Sequence, residues 1–380
     1  MAGLSSENLL KDVFNERVIQ KLAKDIHNVY RPFEVEPFVK EVVDEFIHLG
    51  FLQRSKHVRL MLKKYLPEDY PKAIEILLSA LGPELSDPGE TVWDAFTLMS
   101  QCDFVSSYGK GHYEESMNAL YELTKRFTAE GDLRTFLEVD YEKTMKTLHE
   151  WCNDKSPHVR RLVSEGTRSR LPLSGRISRF QKNPEPVIEL LDKLKDDPEL
   201  YVRRSVANNL NDIAKDNPDV VVKTLKTWLK LKNPEVDWVI RHATRSLIKQ
   251  GNFDALSLLG YSANPKVDIS KLKLNKYEFS LKDSAKDPLV FSFEARSTSG
   301  NEENLMIDYV LHFVKANGKT KEKVFKLRKF TLAGGAKKEI IKKHTFKDTS
   351  GRKHYPGLHA IELQVNGKRL NRINFNLIAE

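Results

Sequence analysis

Three stretches of the chain share one pattern, and this pattern decides the fold. They read PHVRRLVSEGTRSRL (157–171), LYVRRSVANNLNDIA (200–214) and DWVIRHATRSLIKQG (237–251). Aligned on Arg161, Arg204 and Arg241, they repeat at intervals of 43 and 37 residues, each after an amphipathic stretch ending near DKSP, DDP or KNP. Helix pairs that repeat at about 40 residues are typical of HEAT-like solenoids. The repeats therefore predict an α-solenoid with one extended concave face.

The first two repeats carry similar arrays of charge when placed on helical wheels. Their predicted buried stripes are Val159, Leu162, Val163 and Gly166 in the first, and Val202, Val206, Asn209 and Ile213 in the second. The positions predicted to point outward are Arg161, Arg168, Arg204 and Lys215. One carboxylate, Glu165 or Asp212, lies at the border of each stripe. We therefore expect a basic rim around an acidic spot.

Spacing alone leaves the role of this acid open. Glu165 lies four residues after Arg161 and three before Arg168, so ordinary helical ion pairs are available to it. On spacing, structural pairing is favoured over catalysis. A catalytic carboxylate is the alternative.

The pattern changes near the end of the helical part. Residues 1–260 have apolar residues at helical spacing, whereas the chain alternates like β-strands from Val267 onward. Asn317-Gly318 and Asn366-Gly367 each separate two alternating runs, as in β-hairpins. About seven short strands are typical of an immunoglobulin-like β-sandwich. We predict two domains, a HEAT-like helical domain at 1–262 and a sandwich at 267–380.

Charge and composition narrow the classes of function. Residues 1–150 have a net charge of −8, residues 151–250 of +7 and residues 251–380 of +10. A basic second half fits a polyanionic partner, most commonly nucleic acid, or only a solubilising surface.

Cys102 and Cys152 are too few for a disulfide framework or a zinc site, and the N-terminus does not resemble a signal peptide, so we expect a cytoplasmic protein. No H-E-x-x-H, G-x-S-x-G or P-loop motif is present.

Several stretches closely resemble the AlkC branch of the AlkC/AlkD HEAT-like-repeat alkylpurine DNA glycosylases. They are RFTAE (126–130), VRRLVSEGTRSRLP (159–172), YVRRSVANNLNDIAKDNP (201–218) and RSLIKQGNFDALSLLG (245–260). The stretches IDYVLHFVKANGKTKEKVFKL and YPGLHAIELQVNGK resemble the immunoglobulin-like domain that some AlkC proteins carry.

The resemblance implies hydrolysis of the N-glycosidic bond of N-alkylated bases, such as 3-methyladenine and 3-methylcytosine, in duplex DNA, without full base flipping. It implies no metal or other cofactor and no membrane, and we expect a monomer associated with the bacterial nucleoid. Glu130, Glu165 and Asp212 match the pocket positions of the family. We assign stabilisation of the sugar cation and positioning of water to Glu165 and Asp212, without choosing which of them holds the water, and Glu130 is a supporting acid near the lesion. The candidate phosphate contacts are Arg161, Arg168, Arg170, Arg203, Arg204 and Lys215. The sandwich is expected to add a second DNA contact.

The chain departs from the family pattern near these acids. Where the family reads RPRLPW, this chain reads RSRLPL, with Ser169 for proline and Leu173 for tryptophan. After Glu130, an apolar residue and RPF are replaced by Gly131 and RTF (134–136). An aromatic face can favour a cationic base by about 0.5–2 kcal/mol, and leucine cannot. The alternative function is therefore a non-catalytic DNA-binding relative or HEAT scaffold.

Overall fold

A computed structural model of the protein describes residues 10–86, 93–282, 286, 288–349 and 352–379. The described chain is helical up to Ser257 and forms β-strands from Val267, so the predicted fold class is confirmed. It divides into two compact units. The first comprises residues up to Asn217 and Lys232–Ala243, and the second comprises Pro218–Leu231 and the chain from Thr244 onward.

In the part of the chain that the structure describes, three short 3-10 helices accompany the α-helices. The 3-10 helices are Leu10–Val13, Glu45–His48 and Trp93–Phe96. The α-helices are α1 (Glu16–Val29), α2 (Val35–Asp44), α3 (Phe51–Tyr65), α4 (Tyr70–Ser79), α5 (Thr97–Tyr108), α6 (Tyr113–Thr124), α7 (Glu130–Val139), α8 (Tyr141–Trp151), α9 (Pro157–Gly166), α10 (Ser178–Lys182), α11 (Glu185–Leu194), α12 (Leu200–Ile213), α13 (Pro218–Leu229), α14 (Pro234–Ala243), α15 (Arg245–Lys249) and α16 (Phe253–Ser257). None of these described helices is long and apolar enough to cross a membrane.

Helices α7, α9, α12 and α14 pack in succession within the first unit. The close contact of α9 with α7 depends on Gly166, where an added Cβ would lie 2.6 Å from Leu133 Cδ2. On its other side, α9 is tied to α12 because Asn209 Nδ2 donates to the Ser164 carbonyl oxygen over 2.8 Å. Gly166 and Asn209 are thus buried at helix contacts, and the two predicted buried stripes are confirmed.

The β-strands of the described region form a three-stranded and a five-stranded sheet. The strands are β1 (Val267–Leu274), β2 (Glu278–Ser280), β3 (Leu289–Ser297), β4 (Glu303–Val314), β5 (Thr320–Leu332), β6 (Lys337–His344), β7 (Gly357–Val365) and β8 (Lys368–Ile378). Their order is β1-β3-β6 in one sheet and β2-β8-β7-β4-β5 in the other. Apolar residues of both sheets share one core, which is the packing of a β-sandwich.

Both predicted hairpins are present. Asn366 and Gly367 join β7 to β8 with φ angles of 44° and 82°, the conformation that a two-residue type I′ turn requires. The turn between β4 and β5 contains Gly318, with φ of 74°, and Asn317 Oδ1 accepts from the Lys319 amide over 3.2 Å. The structure has eight described strands rather than about seven, because the three-residue β2 has too few residues to show an alternating pattern.

Two short helices of the second unit pack on the sandwich. Ile248 of α15 and Leu256 of α16 form a small apolar cluster with Met306 of β4. An added Cβ at Gly251 would lie 2.5 Å from the Gly367 carbonyl oxygen, so glycine is needed at this contact. The change from helices to strands lies between residues 257 and 267, whereas the second compact unit also includes α13, α15 and α16.

Candidate functional site

Two of the predicted acids lie on neighbouring helices and are both buried. Glu165 is the second-last residue of α9, and Asp212 is the second-last residue of α12. Helices α9 and α12 pack against each other, and Arg168 contacts both acids. Glu165 is 7% exposed and Asp212 is 2% exposed, so neither is a solvated surface charge.

Arg168 joins the two carboxylates. Its Nη1 donates to Glu165 Oε1 over 2.6 Å, and its Nη2 lies 2.7 Å from Asp212 Oδ2. Its Nε donates to the same Asp212 oxygen over 2.8 Å. A single guanidinium therefore holds two buried carboxylates at a fixed separation, since its donors form a rigid fork.

Glu165 is further fixed by hydroxyl groups. Ser205 Oγ donates to Glu165 Oε2 over 2.6 Å, and Ser164 Oγ donates to Ser205 Oγ over 2.8 Å. Burial by itself raises the pKa of Glu165, but Arg161 and Arg168 outweigh it, so the pKa lies below its ordinary value. Glu165 is therefore a carboxylate at neutral pH, which suits stabilisation of a cation and not proton donation.

Arg161 connects Glu130 to this pair. Its Nη1 donates to Glu130 Oε2 over 3.0 Å and to Thr128 Oγ1, and its Nη2 lies 3.7 Å from Glu165 Oε1. The guanidinium also lies over the Tyr201 ring, 5.5 Å from its centroid. Burial opposes the charged form, but Glu130 and the other neighbours raise the pKa of Arg161.

The structure thus brings the three predicted acids into one chain of ion pairs, which we call the acid network. It runs Glu130, Arg161, Glu165, Arg168, Asp212 and Lys215, with Lys215 Nζ 2.7 Å from Asp212 Oδ1. A carboxylate offers about four lone-pair positions. Asp212 accepts three bonds, two on Oδ2 from Arg168 and one on Oδ1 from Lys215, so one lone-pair position of Oδ1 is not used by the described residues.

The predicted outward position of Arg168 is wrong. Helix α9 ends at Gly166, so the helical wheel does not extend to residue 168. The chain turns after Thr167, and the Arg168 side chain folds back over the two carboxylates and is buried. Asp212 is also more deeply buried than a position at the border of the stripe predicts.

The remaining candidate phosphate contacts lie outside the acid network. Arg170 Nη2 pairs with Asp216 Oδ1 over 2.6 Å. Arg203 Nη1 donates to the carbonyl oxygens of Asp197 and Pro198. Arg204 is exposed and, among the described residues, has no ion-pair partner within 4.0 Å. These three arginines are thus separate from the buried acids.

Leu173 has an unusual conformation. Its φ is 62°, in the left-handed region that costs a branched apolar residue about 1–2 kcal/mol. Its side chain is 83% exposed. Nearby Ser169 is buried, and its Oγ has no hydrogen-bond partner among the described residues. Of the two departures in this segment, Leu173 is therefore strained and faces solvent, whereas Ser169 is buried.

Leu173 also lines a cleft with a volume of about 790 Å³. Gly131 lines it too, and an added Cβ there would lie 3.3 Å from Ser174 Oγ. Sequence reasoning missed Ser205 in the acid network and Arg134 in this cleft. No repeat pattern marks either residue. Ser205 aligns with Leu162 of the first repeat, and Arg134 lies outside the three repeats.

Within the described ranges, no group of three or more His, Cys, Asp or Glu side chains could hold a metal ion.

Comparison with known proteins gives three results. Residues 269–379 match the family model described as the C-terminal immunoglobulin-like domain of the uncharacterised protein YhaZ. The whole chain is 34% identical over 369 residues to the uncharacterised protein YhaZ of Bacillus subtilis, covering 97% of this chain and 99% of that protein. A solved structure of Pseudomonas fluorescens alkylpurine DNA glycosylase AlkC, bound to DNA containing an abasic site analogue, matches with a TM-score of 0.88 and 38% identity. That match covers 98% of this chain and 100% of the other.

Proposed function

The chain belongs to the AlkC branch of the HEAT-like-repeat alkylpurine DNA glycosylases, and from this premise we propose that it excises N-alkylated bases from duplex DNA. The substrates are bases of the 3-methyladenine and 3-methylcytosine class. The reaction is hydrolysis of the N-glycosidic bond, which yields the free base and an abasic site for base excision repair. The reaction needs no metal or other cofactor.

The observation that carries this proposal is the joint burial of Glu165 and Asp212 under a single arginine. The two carboxylates lie near the ends of neighbouring helices, and Arg168 holds both in fixed positions. Preorganised charge of this kind stabilises opposite charge that develops in a transition state, because it does not need to reorient during the reaction.

The proposed reaction develops positive charge on the sugar, and carboxylates can stabilise that charge. A base alkylated at a ring nitrogen is cationic, so it leaves readily when the bond from C1′ breaks and its electrons pass to the base. The sugar then becomes oxocarbenium-like, as in glycoside hydrolysis. We assign stabilisation of this cation to Glu165 and Asp212. Water attacks C1′, and one of these carboxylates takes its proton.

Glu130 acts as a supporting acid in this proposal. Its bond to Arg161 holds that guanidinium beside Glu165, so it fixes the outer end of the acid network. Arg161 and Arg168 were candidates for phosphate contacts, but their internal ion pairs favour a positioning role. Arg170, Arg203, Arg204 and Lys215 remain the proposed phosphate contacts. Such contacts position the DNA without reading its sequence.

Lys215 has a double role in this proposal. It pairs with Asp212 Oδ1 and, unlike Asp212, is exposed. A phosphate of bound DNA can draw the ammonium group outward, because the pair with Asp212 is then replaced by another anion. Asp212 Oδ1 would then be uncovered only when DNA is bound.

We propose that residues 1–262 carry this activity and that the sandwich at 267–380 provides a second DNA contact. Support for the second contact comes from charge, since residues 251–380 have a net charge of +10. Exposed lysines lie on the edge strand β5, among them Lys321 and Lys323. Clusters of lysine on one face attract the phosphate backbone.

The test is release of methylated bases from alkylated duplex DNA by the wild type and by Glu165→Gln. We expect release by the wild type and its loss in the variant, with DNA affinity unchanged. Absence of release from the wild type would favour a non-catalytic DNA-binding relative. The observation behind that alternative is Leu173, which is exposed at a position where the family carries an aromatic residue.

A further inference from the structure

The cleft beside α7 contains a buried cation without a partner. Its walls come from α3, α5, α7, the start of α8 and the segment 173–180. Arg134, on α7, lines the cleft and is 8% exposed. Its Nη1 and Nη2 have no hydrogen-bond partner, and no described residue forms an ion pair with it. A buried guanidinium remains charged in proteins, so Arg134 lacks the compensating interactions that a buried charge usually has.

Arg54 shows that this chain can satisfy a buried arginine. It is also 8% exposed, yet it donates to four backbone carbonyl oxygens. These are the carbonyls of Leu49, Lys11, Phe14 and Phe46, at 3.2, 3.0, 2.8 and 2.8 Å. The two arginines are equally buried, so burial does not explain the lack of partners at Arg134. Its donors are available to a ligand.

The surroundings of Arg134 favour an anion. Lys56, Arg176 and Arg179 also line the cleft and are exposed. Of the lining carboxylates, Asp103 is paired with Arg59 at 3.1 Å, and Asp132 accepts from Ser106 over 2.7 Å. The third lining carboxylate, Glu138, is exposed and lies four residues after Arg134 on α7, where its charge partly offsets that of Arg134 without forming a hydrogen bond or an ion pair with it.

The cleft also offers a flat surface. The Arg179 guanidinium lies over the Tyr141 ring, 3.9 Å from its centroid, and both residues line the cleft. Arginine planes and aromatic rings are the surfaces on which unpaired nucleic-acid bases stack. A volume of about 790 Å³ is in the range of small-ligand sites.

We propose that this cleft binds one nucleotide unit, with its phosphate on Arg134 and its base against Tyr141 and Arg179. Arg176 and Lys56 add positive charge at the entrance. The terminal nitrogens of Arg134 are shielded from solvent, so the phosphate enters by displacing side chains of the segment 173–180. This proposal rests on the proposed glycosylase function only where it names a DNA strand as one source of the phosphate. A free nucleotide is the other source.

The test is binding, measured calorimetrically on the full chain without any alkylated base. The probes are deoxyadenosine monophosphate and a short undamaged duplex, and the variants are Arg134→Met, Arg176→Ala and the matched Arg54→Met. Loss of charge-assisted hydrogen bonds should weaken binding about tenfold or more in Arg134→Met, and less in Arg176→Ala. Arg134→Met should also raise the melting temperature of the free protein, whereas Arg54→Met should lower it.

The outcomes separate the two sources. Weaker binding of the mononucleotide, with duplex affinity unchanged, assigns the cleft to a free nucleotide. Weaker binding of the duplex assigns it to a strand phosphate. Unchanged affinity for both probes in Arg134→Met and Arg176→Ala would overturn the proposal. If the variants lose binding as expected but the wild type releases no base, the result contradicts the glycosylase function and still supports the nucleotide site.

Discussion

The acid network and the Arg134 cleft both contain charged side chains that are buried to similar extents, but only the charges of the acid network are paired. Glu165, Asp212 and Arg168 are at least nine-tenths buried, and each is held by several charge-assisted bonds. Arg134 is equally buried, and its terminal nitrogens have no partner. A fully paired buried network is rigid before any ligand arrives, whereas an unpaired buried charge favours binding of a partner. The difference is the one expected if the acid network is the proposed reaction site and the Arg134 cleft is the proposed nucleotide site.

The largest expected effect comes from unpairing the acid network. Arg168→Met leaves two buried carboxylates without their shared cation, and we expect a loss of about 3–5 kcal/mol in the free energy of unfolding. Urea denaturation measures this loss. The control is Arg170→Met, whose pair with Asp216 is more exposed, so its loss should change the free energy of unfolding much less. Equal losses of unfolding free energy in both variants would show that the buried network stabilises the fold no more than the exposed Arg170–Asp216 pair does.

A smaller effect is expected at Leu173, which follows Arg168 by five residues in the chain and lines the cleft. Leu173→Trp restores an aromatic face and should favour a cationic lesion by about 0.5–2 kcal/mol, or about two- to thirty-fold in the rate of base release. The Leu173→Phe variant has a weaker π face and should gain less. The measurement is release of 3-methyladenine at limiting protein. No gain in either variant would mean that this segment does not contact the lesion.

The smallest expected effect is a difference in pH dependence. Burial, together with Asp103 and Glu130, raises the pKa of Asp132 to about 7, although Ser106 opposes the shift. Asp132 therefore gains negative charge as pH rises through 7, and affinity of the cleft for duplex DNA should fall. Because the pKa of Glu165 is lowered, base release at saturating DNA should not change between about pH 5 and 8.

The matched control for this effect is Asp132→Asn, which cannot ionise. Its duplex affinity should be independent of pH across the same range, because phosphodiesters do not titrate there. A pH dependence of equal size in Asp132→Asn would assign the effect to another group.

Sequence patterns predicted most of the fold because the fold depends on local and periodic features. The repeats at Arg161 and Arg204 lie on helices α9 and α12, as predicted. The Asn366-Gly367 turn was predictable because few dipeptides adopt positive φ at both positions.

The site was predictable only in part. The three acids could be named from the family resemblance, and the structure places them in one network. Their connections could not be predicted, because Arg168 lies beyond the end of α9, where helical periodicity no longer applies. Ser205 contributes through contact between helices 40 residues apart. Arg134 was missed because the absence of a partner depends on the packing of four helices and the segment 173–180.

The most direct test of the central claim is the single-turnover rate of base release by Asp212→Asn on an alkylated duplex. Removing one preorganised charge should lower this rate by about 10²–10³-fold, while DNA affinity stays near that of the wild type. The matched control is Asp216→Asn, four residues away in the exposed pair with Arg170, which should retain the wild-type rate. An Asp212→Asn variant that releases bases as fast as Asp216→Asn would contradict the account.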